Sequence, residues 1–488
     1  MNKSTPLRIQ YVSAPAGSGK THQLQQLATK LIGSENRKVL IAQPTKQLIA
    51  QTADAITQAN PNIKAHTIFS TGDGDAVLPR IERHMRDADK SVGQVLLITH
   101  EALKRLPNAY RVHWDLFVDE IPAVFECIPL KVVKTHALLT QHITTEEIAV
   151  GISAVKIAVG QASAIDGLNR NESEDELIGH FGEITDHLLD ENRTVMVRTA
   201  EFNSLLDRTK DRGEVNFFSI LDAGFVDGYN SVTFMGANAK DTELFILWEQ
   251  LKLATFVQHP TMAKGLRYQA HENGSRLTVH YLFENEWTKT RSTRVDAQTG
   301  MTLLEGVGKY VQDFFAGQRF LWVANKAADM AMFDQNDRLP PVSHGLNKPH
   351  FMNCNAVAST IALVHNQASA SFLRLLGLTD HQIRTIICFQ AEYQAIMRCS
   401  LRKPDAIAPV IVIVPSRSSA EWIADKFDGC SVSKLETGLD WEVGKAGRPI
   451  GAKNSRPNAR TAKTATERMR AYRQRQKEKG GGNLLINI

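Results

Sequence analysis

Ala14-Pro15-Ala16-Gly17-Ser18-Gly19-Lys20-Thr21 follows directly on the apolar run Ile9 to Val12, and its reading decides the rest of the chain. A strand that ends in a tight, side-chain-poor turn at the start of a helix turns its backbone N–H groups toward a triphosphate. Ala16, Gly17, Ser18 and Gly19 form that turn, Lys20 neutralises the β- and γ-phosphates, and Thr21 holds magnesium. Ala14 stands where such loops usually begin with glycine, a position that closes the turn without touching phosphate. Leu24, Leu27, Ala28 and Leu31 follow at helical spacing, so the strand-loop-helix context is present.

At 488 residues the chain exceeds what one core usually serves, and two large domains plus extensions are expected. No run of about 18 apolar residues occurs, and Met1-Asn2-Lys3-Ser4 lacks a signal peptide's apolar stretch, which points to the cytoplasm and away from membranes. The five cysteines form no C-x-x-C pair, against both a disulfide framework and a zinc site. The net charge of +5 is unevenly placed: Lys445 to Lys479 holds twelve basic residues and two acidic ones, a net of +10 that leaves −5 for the remainder.

Residues 7 to 125 alternate short apolar runs with amphipathic stretches, the pattern of a parallel sheet flanked by helices. The stretch from about 127 to 230 reads as a helical insertion with the solvated acidic patch Glu172 to Glu176. Sheet character resumes at Ser231 to Met235, Leu277 to Leu282, Phe320 to Ala324, Phe351 to Cys354, Ile383 to Cys388 and Val410 to Val414. The expected units are therefore 1–245, carrying the insertion, 246–436, and a basic, mostly disordered tail over 437–488.

A nucleotide site needs acids beside the phosphate loop, and Leu116-Phe117-Val118-Asp119-Glu120-Ile121-Pro122 fits: Asp119 serves magnesium and Glu120 polarises the attacking water. With this pair in place, residues 7 to 415 resemble superfamily 2 helicases of the broad DEAD/DEAH-like group, of the kind carried by phages and mobile elements. The resemblance implies two RecA-like domains in an α/β fold. Ile41-Ala42-Gln43-Pro44-Thr45-Lys46-Gln47-Leu48 is similar to motif Ia and implies that Thr45 and Lys46 contact the nucleic-acid backbone. Ile98-Thr99-His100-Glu101 occupies the next strand-end motif, implying Thr99 near a phosphate. Thr233 to Asn238 stands where the family has Ser-Ala-Thr, Phe320 to Lys326 resembles motif IV, and Ser343 to Asn347 resembles motif V with Asn347 for the usual Asp.

The segment Glu392 to Arg402 resembles motif VI, in which an arginine reaches the γ-phosphate across the domain interface. Gln394 and Arg398 keep the family's spacing, whereas Arg402 lies one residue further than usual, so either arginine fits the finger's role. On a continuous helix Gln394, Arg398 and Arg402 share one face. Asp-Glu-Ile-Pro in place of Asp-Glu-Ala-Asp, and Pro-Thr-Lys-Gln-Leu in place of Pro-Thr-Arg-Glu-Leu, set the chain apart from the DEAD-box RNA group, so DNA is preferred over RNA.

In the tail, Thr464-Ala465-Thr466-Glu467 has capping-box spacing and opens a short basic helix whose Arg468, Arg470, Arg473 and Arg475 neutralise nucleic-acid phosphates. Taken together, the motifs and the family resemblance imply a DNA helicase or translocase that hydrolyses ATP with Mg2+ between two RecA-like domains, with replication or recombination proteins as the expected partners. The alternative is a nucleotide-gated nucleic-acid-binding scaffold without unwinding activity.

Overall fold

The computed structural model describes residues 6–72, 76–89, 91–131, 134–207, 214–296, 298–326, 328, 330–341 and 348–439. The chain has the expected α/β class, built on two all-parallel sheets. The first has seven strands in the spatial order Ala254–Gln258, Leu7–Ser13, Ser231–Gly236, Trp114–Asp119, Lys38–Gln43, Gln94–Thr99 and Ala65–Thr67. Lys38–Gln43 is buried along its whole length, as a parallel strand covered on both faces must be. One cover comes from helices Lys20–Glu35 and Lys46–Ala59, whose Leu24, Ala28, Ile49 and Ile56 pack on Val39 and Ile41.

The second parallel sheet has six strands in the order Arg338–Leu339, Leu321–Val323, Ala356–Ser359, Val410–Ser416, Leu277–Phe283 and Ser431–Lys434. The boundary expected after residue 245 is corrected by the edge strand of the first sheet. Ala254–Gln258 pairs in parallel with Leu7–Ser13, from Leu7↔Ala254 to Tyr11↔Gln258. Helix Glu243–Gln250 needs that strand as cover: its Phe245 ring stacks on Phe256 at 3.8 Å.

The insertion is not helical. Its frame is a five-stranded antiparallel sheet in the order Phe125–Leu130, Val215–Leu221, Arg193–Arg198, Ile152–Ile157 and Ile143–Ala149, against which helices Ala162–Arg170 and Gly182–Leu189 pack. The β-branched content of Ile143-Thr144-Thr145 and Ile152 to Ile157 favours strand, and Gly151 takes the left-handed φ of +79° that the hairpin turn requires. Pro129 sits on an edge strand, where its missing N–H breaks no ladder.

Two further strand expectations fail. Phe351–Asn353 is a single helical turn ahead of the true strand Ala356–Ser359. Ile383 to Cys388 belongs to helix Asp380–Arg384 and the wider π-turn Thr385–Phe389, because the Thr379/Gln382 capping box starts a helix there in spite of the β-branched run.

Helix Gln367–Leu375, which follows a strand of the second sheet, docks on the antiparallel sheet of the insertion. Phe372 stacks on Phe218 with centroids 3.9 Å apart and rings 7° from parallel, and Arg198 donates to the Ala368 carbonyl at 3.2 Å. Helix Gln367–Leu375 thereby joins the core under the first sheet, in one apolar cluster that includes Leu40, Phe125, Phe218, Phe372 and Leu376. No helix among the described residues is long and apolar enough to cross a membrane.

Phe372→Ala removes the centre of that stack and is expected to cost about 3–5 kcal/mol. Leu375→Ala on the exposed face of the same helix should cost well under about 1 kcal/mol. Urea unfolding of the two variants checks the difference, and equal midpoints would show that the stack contributes nothing.

Candidate nucleotide site

The phosphate loop leaves the first sheet at Ser13, held by the Ala14 N–H donating to the Gly236 carbonyl at 3.3 Å. Gly17 and Gly19 have φ of +88° and +91°, which only glycine adopts without strain. Lys20 opens the helix, and its ammonium donates to the Ala14 and Pro15 carbonyls at 2.8 and 2.9 Å. Burial lowers the Lys20 pKa, against the opposing pull of Glu120 and Asp119. The Ser18 hydroxyl is buried in the loop with no hydrogen-bond partner among the described residues.

Parallel register brings the acids to this loop. Trp114–Asp119 lies one strand away from Leu7–Ser13, across Ser231–Gly236, with Met235 opposite both Val12 and Asp119. The Asp119 carboxylate, 2% exposed, accepts from the Thr21 hydroxyl at 3.0 Å and from the Gln43 amide at 2.9 Å. Its pKa is pushed up to about 6, chiefly by burial and then by neighbouring Glu120. His100 donates from Nε2 to the Asp119 carbonyl at 3.1 Å, and burial holds His100 near 4, so the ring is neutral at physiological pH. Glu120 takes a left-handed φ of +66°, a strained conformation for this residue type, and lines the cleft.

Gln394, Arg398 and Arg402 reach the same cleft, although not on one helix face. The helix ends at Ile396, and Arg402 belongs to the turn Ser400–Arg402. The break has a local cause: Cys399 is extended, and the Ser400 N–H is taken by the Cys354 carbonyl at 2.9 Å. Arg398 donates to the Gln394 backbone carbonyl and side-chain oxygen, both at 3.1 Å. Burial lowers the Arg398 pKa to about 10, with Arg402 adding to the shift, so the guanidinium stays charged near pH 7. The helix carrying Gln394 is fixed to the second sheet by fully buried Glu392, whose carboxyl accepts from Ser359 at 3.0 Å and from Ser419.

The cleft between the sheets measures about 740 Å³. Lys20, Arg267, Arg398, Arg402 and Lys403 line it against Glu120 and Asp405, a cationic excess suited to a polyphosphate. The glycine-rich backbone, the Lys20 ammonium and the orphaned Ser18 hydroxyl fit a nucleotide's phosphates, and Thr21 with Asp119 supplies the oxygen ligands that magnesium takes.

Thr45 and Thr99 stand at the ends of adjacent strands, Gln43 being opposite Thr99, and each caps a helix: Thr45 accepts from the Leu48 N–H and Thr99 from the Ala102 N–H, both at 3.2 Å. Exposed Lys46 lies 5.9 Å over the Phe69 ring and donates to the Ser70 carbonyl. All three share one rim of the first sheet. The Thr233 to Asn238 segment links both halves of the cleft, since Gln390 donates to the Asn238 carbonyl at 3.3 Å and the Ala239 N–H donates to Ser13 at 3.0 Å. Gly236 is small because a Cβ there would lie 2.8 Å from Ile121. Ser343 to Asn347 and Arg468, Arg470, Arg473 and Arg475 lie outside the described residues.

Sequence reasoning missed Gln43, His100, Tyr268, His271 and Tyr393. A polar residue ending the apolar run Val39 to Ala42 was a usable sign of Gln43; Tyr268 and His271 carry no local signal.

Residues 7–124 match the family model described as DEAD/DEAH box helicase. No curated protein sequence matches the chain significantly. Among solved structures, the chain is similar to S. cerevisiae Dbp5 bound to RNA and ADP BeF3, at 9% identity over 90% of this chain and 87% of that one, with a TM-score of 0.36. It is similar also to the DEAD-box helicase Mss116 bound to ssRNA and UDP-BeF, at 10% identity over 89% and 72%, TM-score 0.35. T4 UvsW matches at 10% identity over 88% and 74%, TM-score 0.24.

Burial raises the Glu392 pKa to about 7, so the folded protein binds a proton that the unfolded chain releases near 4.5. Stability attached to this group is present below about pH 4.5 and is lost as pH rises toward 7. Glu392→Gln is therefore expected to match wild type near pH 4.5 and to exceed it by on the order of 3 kcal/mol above pH 7, read by denaturant unfolding across pH. A stability difference independent of pH would contradict this.

Proposed function

We propose that the chain is an ATP-dependent nucleic-acid motor, a DNA helicase or translocase that hydrolyses ATP between its two parallel sheets. One observation carries the reading: Lys20, from the first sheet, and Arg398 with Arg402, from the second, line one cleft across a single phosphate loop. Bound MgATP supplies a γ-phosphate made electrophilic by the metal. In that complex Lys20 turns from its own loop's carbonyls to the phosphates, and Thr21 and Asp119 hold the metal. Glu120 orients the attacking water, and Arg398 or Arg402 stabilises the charge that develops in the transition state.

Since the arginines belong to the second sheet, hydrolysis depends on how the sheets meet. Thr45, Lys46 and Thr99 place a backbone-binding rim beside the cleft, where helix Lys46–Ala59 contributes Leu48, Gln51 and Thr52 to the lining. Nucleic acid on this rim would bias the closure that hydrolysis needs. Arg468, Arg470, Arg473 and Arg475 add non-specific affinity for phosphate.

ATP turnover measured without polymer and with single-stranded DNA, duplex DNA and RNA tests the reading together with its polymer class. Stimulation is expected, strongest with DNA. Strand displacement that requires ATP separates a motor from a nucleotide-gated scaffold. Lys20→Ala should abolish turnover, and Glu120→Gln should retain ATP binding while lowering turnover by orders of magnitude; wild-type turnover in Glu120→Gln would exclude it as the base. Deleting residues 445–488 should leave basal turnover intact and flatten the salt dependence of DNA binding, each lost phosphate contact removing roughly 0.7 to 0.9 from the log-log slope.

A further inference from the structure

One residue of the phosphate loop, Ala16, is gripped by tyrosines outside the loop at both of its flanking peptides. The Ala16 N–H donates to the Tyr393 hydroxyl at 3.0 Å, and the Tyr268 hydroxyl donates to the Ala16 carbonyl at 2.9 Å. Tyr393 stands next to Gln394 on the helix that leads to Arg398, whereas Tyr268 lies in the segment joining the two parallel sheets. The residue before Tyr268 adds a backbone bond, its N–H donating to the Ser18 carbonyl at 2.9 Å.

The grip has a defined direction of hydrogen bonding. Tyr393 is fully buried and its oxygen already accepts from Ala16, so its single hydrogen goes to His271 Nε2, 2.9 Å away. His271 must then carry its own proton on Nδ1. It can act as this acceptor because burial, followed by the charge of Lys20, keeps its pKa near 4, and because the ring is held flat against Phe427 at 3.9 Å. Removing the Tyr393 hydroxyl would strand two buried partners, the Ala16 N–H and His271 Nε2.

The same contact includes an arginine. A Cβ built on Gly17 would lie 2.8 Å from the Tyr268 hydroxyl and 2.9 Å from Arg402 Cγ, so the open face of Gly17 is where the loop, Tyr268 and the Arg402 stem meet. We propose that Tyr268 and Tyr393 are positioning residues that set the spacing of Arg398 and Arg402 from the phosphate loop, tying hydrolysis to the meeting of the two sheets through two hydroxyl groups. This inference rests on the ATP-hydrolysing reading. The hydroxyls act on the backbone of Ala16, and the arginines act on the phosphate.

Tyr268→Phe and Tyr393→Phe in the full chain test the inference, because each removes one oxygen and leaves the ring packing. At saturating polymer, each is expected to lower kcat about 10-fold or more, with the KM for ATP changing by less than about 3-fold. In an Arg398→Ala/Arg402→Ala background the added loss from Tyr393→Phe should shrink to less than about 3-fold, since both arginines it positions are gone. Hydrogen exchange of the Ala16 amide should be about 10-fold faster in Tyr393→Phe whether or not ATP is turned over. Wild-type kcat in both Phe variants, or a full additive loss in the Arg398→Ala/Arg402→Ala background, would overturn the positioning role while leaving the ATPase reading intact. A wild-type protein without ATP turnover overturns the ATPase reading and the catalytic purpose of the grip together, and the exchange measurement then decides whether the grip on Ala16 exists in solution.

Discussion

The site depends on parallel register. In a parallel sheet every strand delivers its C-terminal end to the same rim, so side chains far apart in sequence become neighbours without long loops. Here the rim gathers Ser13, Gln43, Thr99, Asp119 and Gly236, with Ser13 opposite Gly236, Met235 opposite Asp119 and Gln43 opposite Thr99. The Thr21 hydroxyl meets Asp119 across 98 positions of sequence because the strands fix both. A slip of one residue in the central ladder would turn Asp119 toward the other face of the sheet.

That rim is costly to maintain. Asp119 is buried beside Glu120 and its ionisation is opposed, Lys20 is buried against loop carbonyls, and Glu120 holds a left-handed backbone. Each feature lowers stability and makes sense as preparation for a charged ligand, as expected where activity and stability conflict. Compensating contacts hold the halves together: Tyr393 and Tyr268, from the second half and from the joining segment, grip the loop, and Phe372 docks on the insertion.

Much of the site was legible because its signals are local. The phosphate loop, Asp119 and Glu120 each sit at the end of a short apolar run, and the threonines at the starts of the next helices serve as caps, as Thr45 and Thr99 do. Arg398 and Arg402 were legible by spacing although the helix carrying Gln394 stops at Ile396; a turn, not a helix face, brings them together. Tyr268 and His271 were not legible, since they matter only through distant contacts, Tyr268 with Ala16 across 252 positions and His271 with Tyr393 across 122. The insertion was misread because its outer strand Ile143–Ala149 is exposed and acidic, without the apolar alternation that marks a half-buried strand. The π-turn Thr385–Phe389 was misread for the opposite reason, a β-branched run inside a helix whose start is set by a capping box.

The central claim is that arginines of the second sheet complete a nucleotide site built on the first. The measurement that tests it most directly is steady-state ATP turnover of the full chain, at saturating ATP and single-stranded DNA, in wild type, Arg398→Ala and Arg402→Ala, with ATP affinity measured in parallel. The account predicts a loss of about 10³ or more in DNA-stimulated turnover for at least one of the two variants, with ATP affinity little changed. Full stimulated turnover in both variants would contradict it.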